Sequence, residues 1–187
     1  MEPYEEYLLA NRREIFFVGE ITNESAQTLV KKLRFLDDFT PDGKKSKRPC
    51  SEDIVLWVNS IGGEVTASVM ICETMELLKS NIMTIAFGEV ASAAIPIVAS
   101  GTKGKRFTLP STYFMTHNLS AGIVGAYNEM TSHMLMIEKT KEDMKDYLLS
   151  RTKIGKRRYE KMFQDHAYWF WANEAVKVGI VDGILIK

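Results

Sequence analysis

The stretch GEVASAA, residues 88–94, decides how the rest of this chain is interpreted. It follows an apolar run at residues 82–87 that is typical of a buried strand, and it precedes an apolar segment at residues 95–99. This pattern predicts that Ser92 lies on a turn between a strand and a helix. A serine at a helix N-terminus meets unpaired N–H groups and the positive end of the dipole, which suits a nucleophile that forms an oxyanion. The alternative is that Ser92 only caps the helix.

Two further segments end strand-like runs and carry groups that a reactive serine needs. The segment NSIGG, residues 59–63, ends in a glycine pair that permits backbone N–H groups to approach a ligand closely. His117 follows another strand-like run, 25 residues after Ser92. Open α/β sheets place their sites at the C-terminal ends of strands, so we expect these three segments to converge.

Length and composition favour one domain spanning residues 1–187. Lys and Arg together number 24, as do Asp and Glu, so the formal charge is zero and nothing favours a nucleic-acid or membrane partner. Cys50 and Cys72 are predicted to be free thiols in a reducing compartment. No apolar run reaches the length of a membrane span and the acidic start is no signal peptide, so we predict a soluble, cytoplasmic protein.

Periodicity along the first hundred residues alternates strand with helix. This alternation predicts an α/β fold with a parallel sheet covered by helices. A polar loop at residues 40–53 holds the basic run at 44–48, which we interpret as solvated. A long helix is predicted over residues 127–150, and the aromatic cluster at 168–171 is interpreted as core or subunit packing. One stripe of the long helix is apolar and Met-rich, which is typical of adaptable packing: Met130, Met134, Ile137, Met144 and Leu148.

Taken together, these motifs resemble those of the ClpP family of self-compartmentalised serine proteases. The resemblance covers roughly residues 14–187, in the family's order and near its spacing. It implies a crotonase-like fold, a spiral of ββα units, from which the predicted long helix protrudes as the handle that packs against a second ring. The motifs that carry it are residues 59–63, residues 88–94, KGKRF at 103–107 with Leu109-Pro110, MTH at 115–117, Glu174-Ala175, and GIVD at 179–182.

The same resemblance implies roles for individual residues. Ser92 is the nucleophile, and His117 is the general base and then the general acid. The N–H groups of Gly63 and Ala93 form the oxyanion hole, with Ile61 standing where the family usually has a proline before the glycine pair. The resemblance implies neither a metal nor another cofactor.

The acid that orients the histidine is where this chain departs from the family. The family's acid lies two residues before an aromatic residue, in a segment resembling DRDTWFSA. The corresponding segment here is DHAYWFWA, residues 165–172, which aligns Ala167 with the acid. The spacing from His117 is one residue longer than in the family, so Asp165 in a shifted register is the nearest substitute.

Three interpretations of Ala167 remain open at this point. The chain is a natural protease in which Asp165, a backbone carbonyl or a water orients His117; or it is an inactivated version of an active protease; or it is a natural pseudo-protease subunit. Loss of the orienting acid costs about 10⁴-fold in turnover, which leaves slow residual activity.

We therefore predict a Clp protease proteolytic subunit of the ATP-dependent type, a serine endopeptidase that cuts peptides or unfolded proteins inside an oligomeric chamber. The resemblance implies stacked heptameric rings and an AAA+ unfoldase partner. The first alternative is a catalytically impaired or inactive ring subunit, which Ala167 favours. The second is a crotonase-type acyl-CoA enzyme, which shares the fold and oxyanion hole but does not need the pair Ser92 and His117.

Overall fold

The computed structural model describes residues 5, 7–38, 52–118, 127–164 and 166–186. The predicted polar loop at 40–53 lies almost wholly outside the described residues, together with its basic run and Cys50. Asp165, the substitute acid, also lies outside them. Within the described ranges, no helix combines the length and apolar character needed to cross a membrane.

Strands and helices alternate along the described chain after a short π-helical turn at Leu8–Arg12. Helix α1 begins with reciprocal hydrogen bonds, in which the Ser25 N–H donates to Thr22 Oγ1 and the Thr22 N–H donates to Ser25 Oγ. The elements are β1 (Glu14–Val18), α1 (Asn23–Asp38), β2 (Ile54–Ser60), α2 (Val65–Leu77), β3 (Ile82–Ala91), α3 (Ala94–Ala99), β4 (Arg106–Thr108), β5 (Tyr113–Thr116), α4 (Tyr127–Arg151), α5 (Lys156–Met162), β6 (Tyr168–Trp171), α6 (Ala172–Lys177) and β7 (Gly183–Ile184).

The sheet is mostly parallel, which confirms the predicted α/β class. Strands β1, β2, β3, β4 and β7 are adjacent in that order and pair in parallel. Strand β5 pairs in parallel with the end of β3, and β6 pairs antiparallel with β5. Parallel neighbours need crossover connections, and α1, α2 and α3 lie in the connections among the first strands.

Strand β3 positions the site because it changes partner along its length. Its first half pairs with β4 through residues 84–86, and its second half pairs with β5 through residues 89–91. Gly88 lies between the two halves at φ +63°, a left-handed conformation that favours glycine. The prediction that the strand ends at residue 87 was therefore wrong, because pairing with β5 carries it on to Ala91.

The core lies between the inward face of the sheet and the helices. Alternate residues of β2 are buried, and all six residues of α3 are buried, so α3 is an internal helix. The long helix α4 is divided. Leu148 near its end is fully buried, whereas Met134 in its first half is 54% exposed. The exposed half carries the apolar face that we predict to be an oligomer interface.

Near the end of the chain, one interpretation is confirmed in part and one prediction was wrong. The aromatic run at residues 168–171 forms β6, and Phe170 is buried against Phe114 of β5, which agrees with core packing. The final strand was predicted over residues 180–186 but spans only two residues, because the N–H groups of Ile180 and Val181 donate instead to the Ala175 carbonyl at the end of α6.

Candidate active site

The three segments that the sequence singled out follow neighbouring strands. Ser60 of β2 pairs with Val90 of β3, and Val90 pairs with Phe114 of β5. The residues just beyond these paired positions therefore meet at one edge of the sheet. This edge carries the glycine pair after β2, Ser92 after β3 and His117 after β5.

Ser92 and His117 are in hydrogen-bond contact. Ser92 Oγ lies 2.7 Å from His117 Nε2. The alternative that Ser92 merely caps a helix is wrong, because α3 begins at Ala94, its N-cap position is Ala93, and no side chain caps it. Pro96 falls in the first turn of α3, where backbone N–H groups have no partner within the helix, so its missing donor costs little there.

The Ser92 backbone adopts a conformation that few residues other than glycine tolerate. Its φ is +53°, a strain of about 1–3 kcal/mol that surrounding structure must hold in place. The Ser92 N–H donates to the Met115 carbonyl of β5 over 2.8 Å, and the Ile95 N–H donates to the Ser92 carbonyl over 3.1 Å. Gly62 packs against the same turn, since a Cβ there would lie 2.7 Å from Ser92 Cβ. The turn is thus fixed by backbone contacts on both sides.

Two backbone N–H groups are placed to meet a ligand, one from Gly63 of the glycine pair and one from Ala93 of the Ser92 turn. The Ile21 N–H donates to the Gly62 carbonyl and the Glu64 N–H donates to the Ile21 carbonyl, so this short bridge does not use the Gly63 N–H. Neither the Gly63 N–H nor the Ala93 N–H has an acceptor among the described residues. Both residues line one cavity, where unpaired N–H donors can stabilise a developing negative charge.

A cavity of about 370 Å³ opens beside Ser92 and His117. Its polar wall consists of these two side chains, the glycine pair and Asn118, and it also touches Glu20 and Lys141. The rest of the lining is mainly apolar, which suits a bulky apolar side chain of a bound peptide. The apolar side chains of the lining include Ile61, Val65, Pro96, Met144, Leu148 and Phe163.

His117 directly follows the last paired residue of the β5–β6 ladder. Thr116 pairs with Tyr168, so extending this antiparallel register by one residue sets Ala167 against His117. The Asn118 N–H donates to the Gln164 carbonyl over 2.8 Å. His117 is therefore bracketed by backbone contacts on both sides. Among the described residues, no hydrogen-bond acceptor lies on His117 Nδ1, and Ala167 is exposed.

Neither Cys72 nor His133 joins this site. Cys72 is a free, buried thiol whose pKa is raised to about 11 by burial, so it is a poor nucleophile at neutral pH. His133 is exposed on α4, away from the lining of the cavity. Across the described ranges, no cluster of three or more His, Cys, Asp or Glu side chains could hold a metal ion.

Sequence reasoning missed the contribution of α4 to the cavity. Met144 and Leu148 line it from the end of that helix, whereas the whole apolar stripe was interpreted as adaptable packing on a helix that contacts a second ring. The i, i+4 spacing of these two residues was present in the sequence. What no local pattern indicated was that this end of the helix returns beneath α3, to which Tyr147 is joined by a 2.6 Å hydrogen bond with Ser100.

Comparison with protein-family models supplies the last observation. The model described as Clp protease matches residues 3–187, which is nearly the whole of this 187-residue chain. The match includes the strand ends, the glycine pair, Ser92, His117 and the segment around Ala167. The sheet described above is consistent with the fold of that family. This protein therefore belongs to the Clp protease family.

Proposed function

We propose that this protein is a serine-type endopeptidase in which Ser92 is the nucleophile and His117 the general base. The observation that carries the proposal is the 2.7 Å separation of Ser92 Oγ and His117 Nε2, at the ends of neighbouring strands and beside an apolar cavity. Membership of the Clp protease family supports the reaction class. The separation lies within the range that a general base needs to remove a hydroxyl proton.

The first half of the reaction forms an acyl-enzyme. The Ser92 hydroxyl gives its proton to His117 Nε2 while its oxygen bonds to the carbonyl carbon of the scissile peptide. The carbonyl oxygen becomes an oxyanion that accepts hydrogen bonds from the Gly63 and Ala93 N–H groups. The tetrahedral adduct then collapses, the C–N bond breaks, and the leaving amine takes the proton from His117.

The second half of the reaction regenerates the serine. A water molecule gives a proton to His117 Nε2 and adds to the acyl carbon. The C–O bond to Ser92 breaks and the serine oxygen takes the proton back. The products are the restored hydroxyl and a carboxylic acid, which loses its proton to water at neutral pH, so no oxidant or reductant enters the balance.

Assembly forms the second part of the proposal. Members of the Clp protease family generally form oligomeric rings, and we infer stacked heptamers with an AAA+ unfoldase as a partner. The exposed apolar face at the start of α4 supports an interface there, since Met134, Leu135 and Met136 are each more than half exposed. We also propose a reducing, cytoplasmic compartment, because Cys72 is a free thiol.

The proposed function is tested by measuring probe labelling and peptide cleavage on the same protein. We expect a fluorophosphonate probe to label Ser92 and a fluorogenic peptide to be cut slowly. Ser92→Ala should abolish labelling and lower cleavage by a further factor of about 10², because in a serine-protease triad removing the serine costs roughly that much more than removing the acid alone. Ser132→Ala is the matched control, since Ser132 is exposed on α4 and outside the cavity lining. Equal cleavage by the chain and Ser92→Ala would refute the proposal.

The alternative of a non-catalytic ring subunit is favoured by one observation, the alanine at position 167, one residue beyond the last β5–β6 pair. This alternative predicts neither labelling nor serine-dependent cleavage, together with co-assembly into rings with an active homologue. The labelling experiment separates the two functions, because it needs only the serine and its base. The acyl-CoA alternative gains no support from the hydrogen-bonded pair.

A further inference from the structure

The two ring nitrogens of His117 have different surroundings. To accept a proton from Ser92, Nε2 must be unprotonated, so in the neutral imidazole the proton is on Nδ1. An Nδ1–H that has an acceptor keeps the ring in this tautomer and stabilises the imidazolium that forms during catalysis. No described residue supplies that acceptor.

The register of β5 and β6 identifies where an acceptor would stand. Residues directly opposite in an antiparallel pair have Cβ atoms about 4.5–5.5 Å apart and project from the same face. Position 167 is the residue opposite His117 when the register of Thr116 and Tyr168 is extended by one. Beyond that point the ladder has ended, and the Asn118 N–H donates to the Gln164 carbonyl, two residues outside this register, which still holds the two segments together.

The residue at position 167 supplies only a methyl group, and it is exposed, so small solutes reach it from solvent. An aspartate differs from an alanine by one carboxylate on that methyl carbon. A formate ion placed against the Ala167 methyl therefore reproduces the groups of an aspartate side chain, and acetate adds one further methyl.

We propose that the position beside Ala167 binds a small carboxylate, of the size of formate or acetate, which accepts a hydrogen bond from His117 Nδ1. The bound ion completes the catalytic triad and makes the activity of this chain dependent on a soluble carboxylate. This inference rests on the proposed function, because it uses the same histidine and serine. It adds a ligand class and a mode of regulation.

The test measures peptide cleavage at rising formate concentration, with chloride at matched ionic strength as the control. The fluorogenic peptide carries an acetyl cap and no acidic side chain, so the added ion is the only small carboxylate present. A succinyl-capped copy of the same peptide tests whether the substrate can supply the carboxylate itself. We expect formate to raise kcat by at least about tenfold with KM unchanged, below the ~10⁴-fold that a covalent acid contributes.

Size and position provide the specificity controls. Formate should act more strongly than acetate, and pivalate should have no effect. Ala167→Leu should abolish the response because its larger side chain fills the position. Ala167→Asp should be fast without formate and should gain nothing from it. The inference would be overturned if chloride stimulated cleavage as much as formate does. It would also be overturned if formate stimulated Ala167→Leu and Ala167→Asp as much as it stimulates the unsubstituted chain.

The outcomes separate failure of the inference from failure of the proposed function. If Ser92 is labelled and cleavage is serine-dependent but formate changes neither rate, the function stands and the carboxylate site does not. If Asp165→Asn removes the activity and formate does not restore it, Asp165 orients His117 and the inference is wrong. If formate brings neither labelling nor serine-dependent cleavage, both proposals fall.

Discussion

The two nitrogens of the His117 ring differ in the partners that surround them. On the Nε2 side, Ser92 is held at φ +53° by a hydrogen bond to β5 and by the close packing of Gly62, and its oxygen lies 2.7 Å from the ring. On the Nδ1 side, extending the β5–β6 register by one residue sets Ala167, which has no polar group, against the ring. The difference shows that the contact between Ser92 and His117 is held by backbone geometry, and that it forms although position 167 carries no carboxylate.

The largest expected effect comes from placing a carboxylate on the Nδ1 side of His117. Ala167→Asp should raise kcat by about 10⁴-fold, because an aspartate at 167 can accept from Nδ1–H and stabilise the imidazolium. This corresponds to about 5.4 kcal/mol of transition-state stabilisation at 1.36 kcal/mol per decade. Steady-state kinetics with a fluorogenic peptide measures the change.

The control for this change is Ala167→Asn, which has the same size without the charge and should recover only a small part of the gain. A chain that is already fast, and that Ala167→Asp does not improve, would show that another group orients His117. Residue 167 would then not be the position that orients His117, and extending the β5–β6 register by one residue would have identified the wrong residue.

The next effect tests the Nε2 side of His117, where the Gly63 N–H lines the cavity beside Ser92. Gly63→Ala should lower kcat by about 10²–10³-fold, because a Cβ at φ +144° clashes with the Ile21 carbonyl and displaces the Gly63 N–H from the cavity. The loss is measured as kcat together with the rate of fluorophosphonate labelling.

Gly104→Ala is the matched control for Gly63→Ala. Gly104 also has a positive φ, +87°, but a Cβ there meets nothing within 4 Å. This variant should lower stability slightly and leave kcat unchanged. If both variants lowered kcat to a similar extent, backbone strain, and not the position of the N–H donor, would explain the loss.

The smallest expected effect lies in the scaffold and should leave both sides of His117 unchanged. Arg106 is 3% exposed and forms an ion pair with Asp182 that joins β4 to the segment before β7. Asp182→Asn should lower the free energy of unfolding by about 2 kcal/mol, less than the ~3–5 for a fully buried pair because the Asp182 side chain is 23% exposed. Urea denaturation measures the loss, and kcat per folded molecule should not change.

The same pair predicts the direction of acid sensitivity. Burial alone would raise the pKa of Asp182, but hydrogen bonds and charge from Arg106 and a hydrogen bond from the Gly104 N–H hold the pKa below its usual value. A carboxyl whose folded pKa is lowered stabilises the fold above its unfolded pKa, about 4, and this stabilisation is lost as pH falls through the folded value. Asp182→Asn should therefore show a shallower loss of stability on acidification. An identical acid profile in both proteins would contradict this account.

Much of the site could be predicted because its groups lie on short segments that follow strands. Ser92, His117 and the glycine pair each stand directly after an apolar run, and parallel strands bring such ends to one edge. The length of β3 could not be predicted, because residues 88–91 become a strand only when β5 pairs with them. The short final strand and β6 were missed for the same reason, since a strand is defined by a partner that local sequence does not show.

The sequence by itself determined the alternation of strands and helices along the first hundred residues, the small residues of the Ser92 turn and the departure at Ala167, because these depend on local composition and spacing. Only the tertiary structure decided that the Ser92 hydroxyl meets Nε2, that the end of α4 lines the cavity, and that β6 pairs with β5 up to the residue before His117. These are contacts between residues far apart in the chain, such as Thr116 and Tyr168, whose register is set by the packing of both strands on one core.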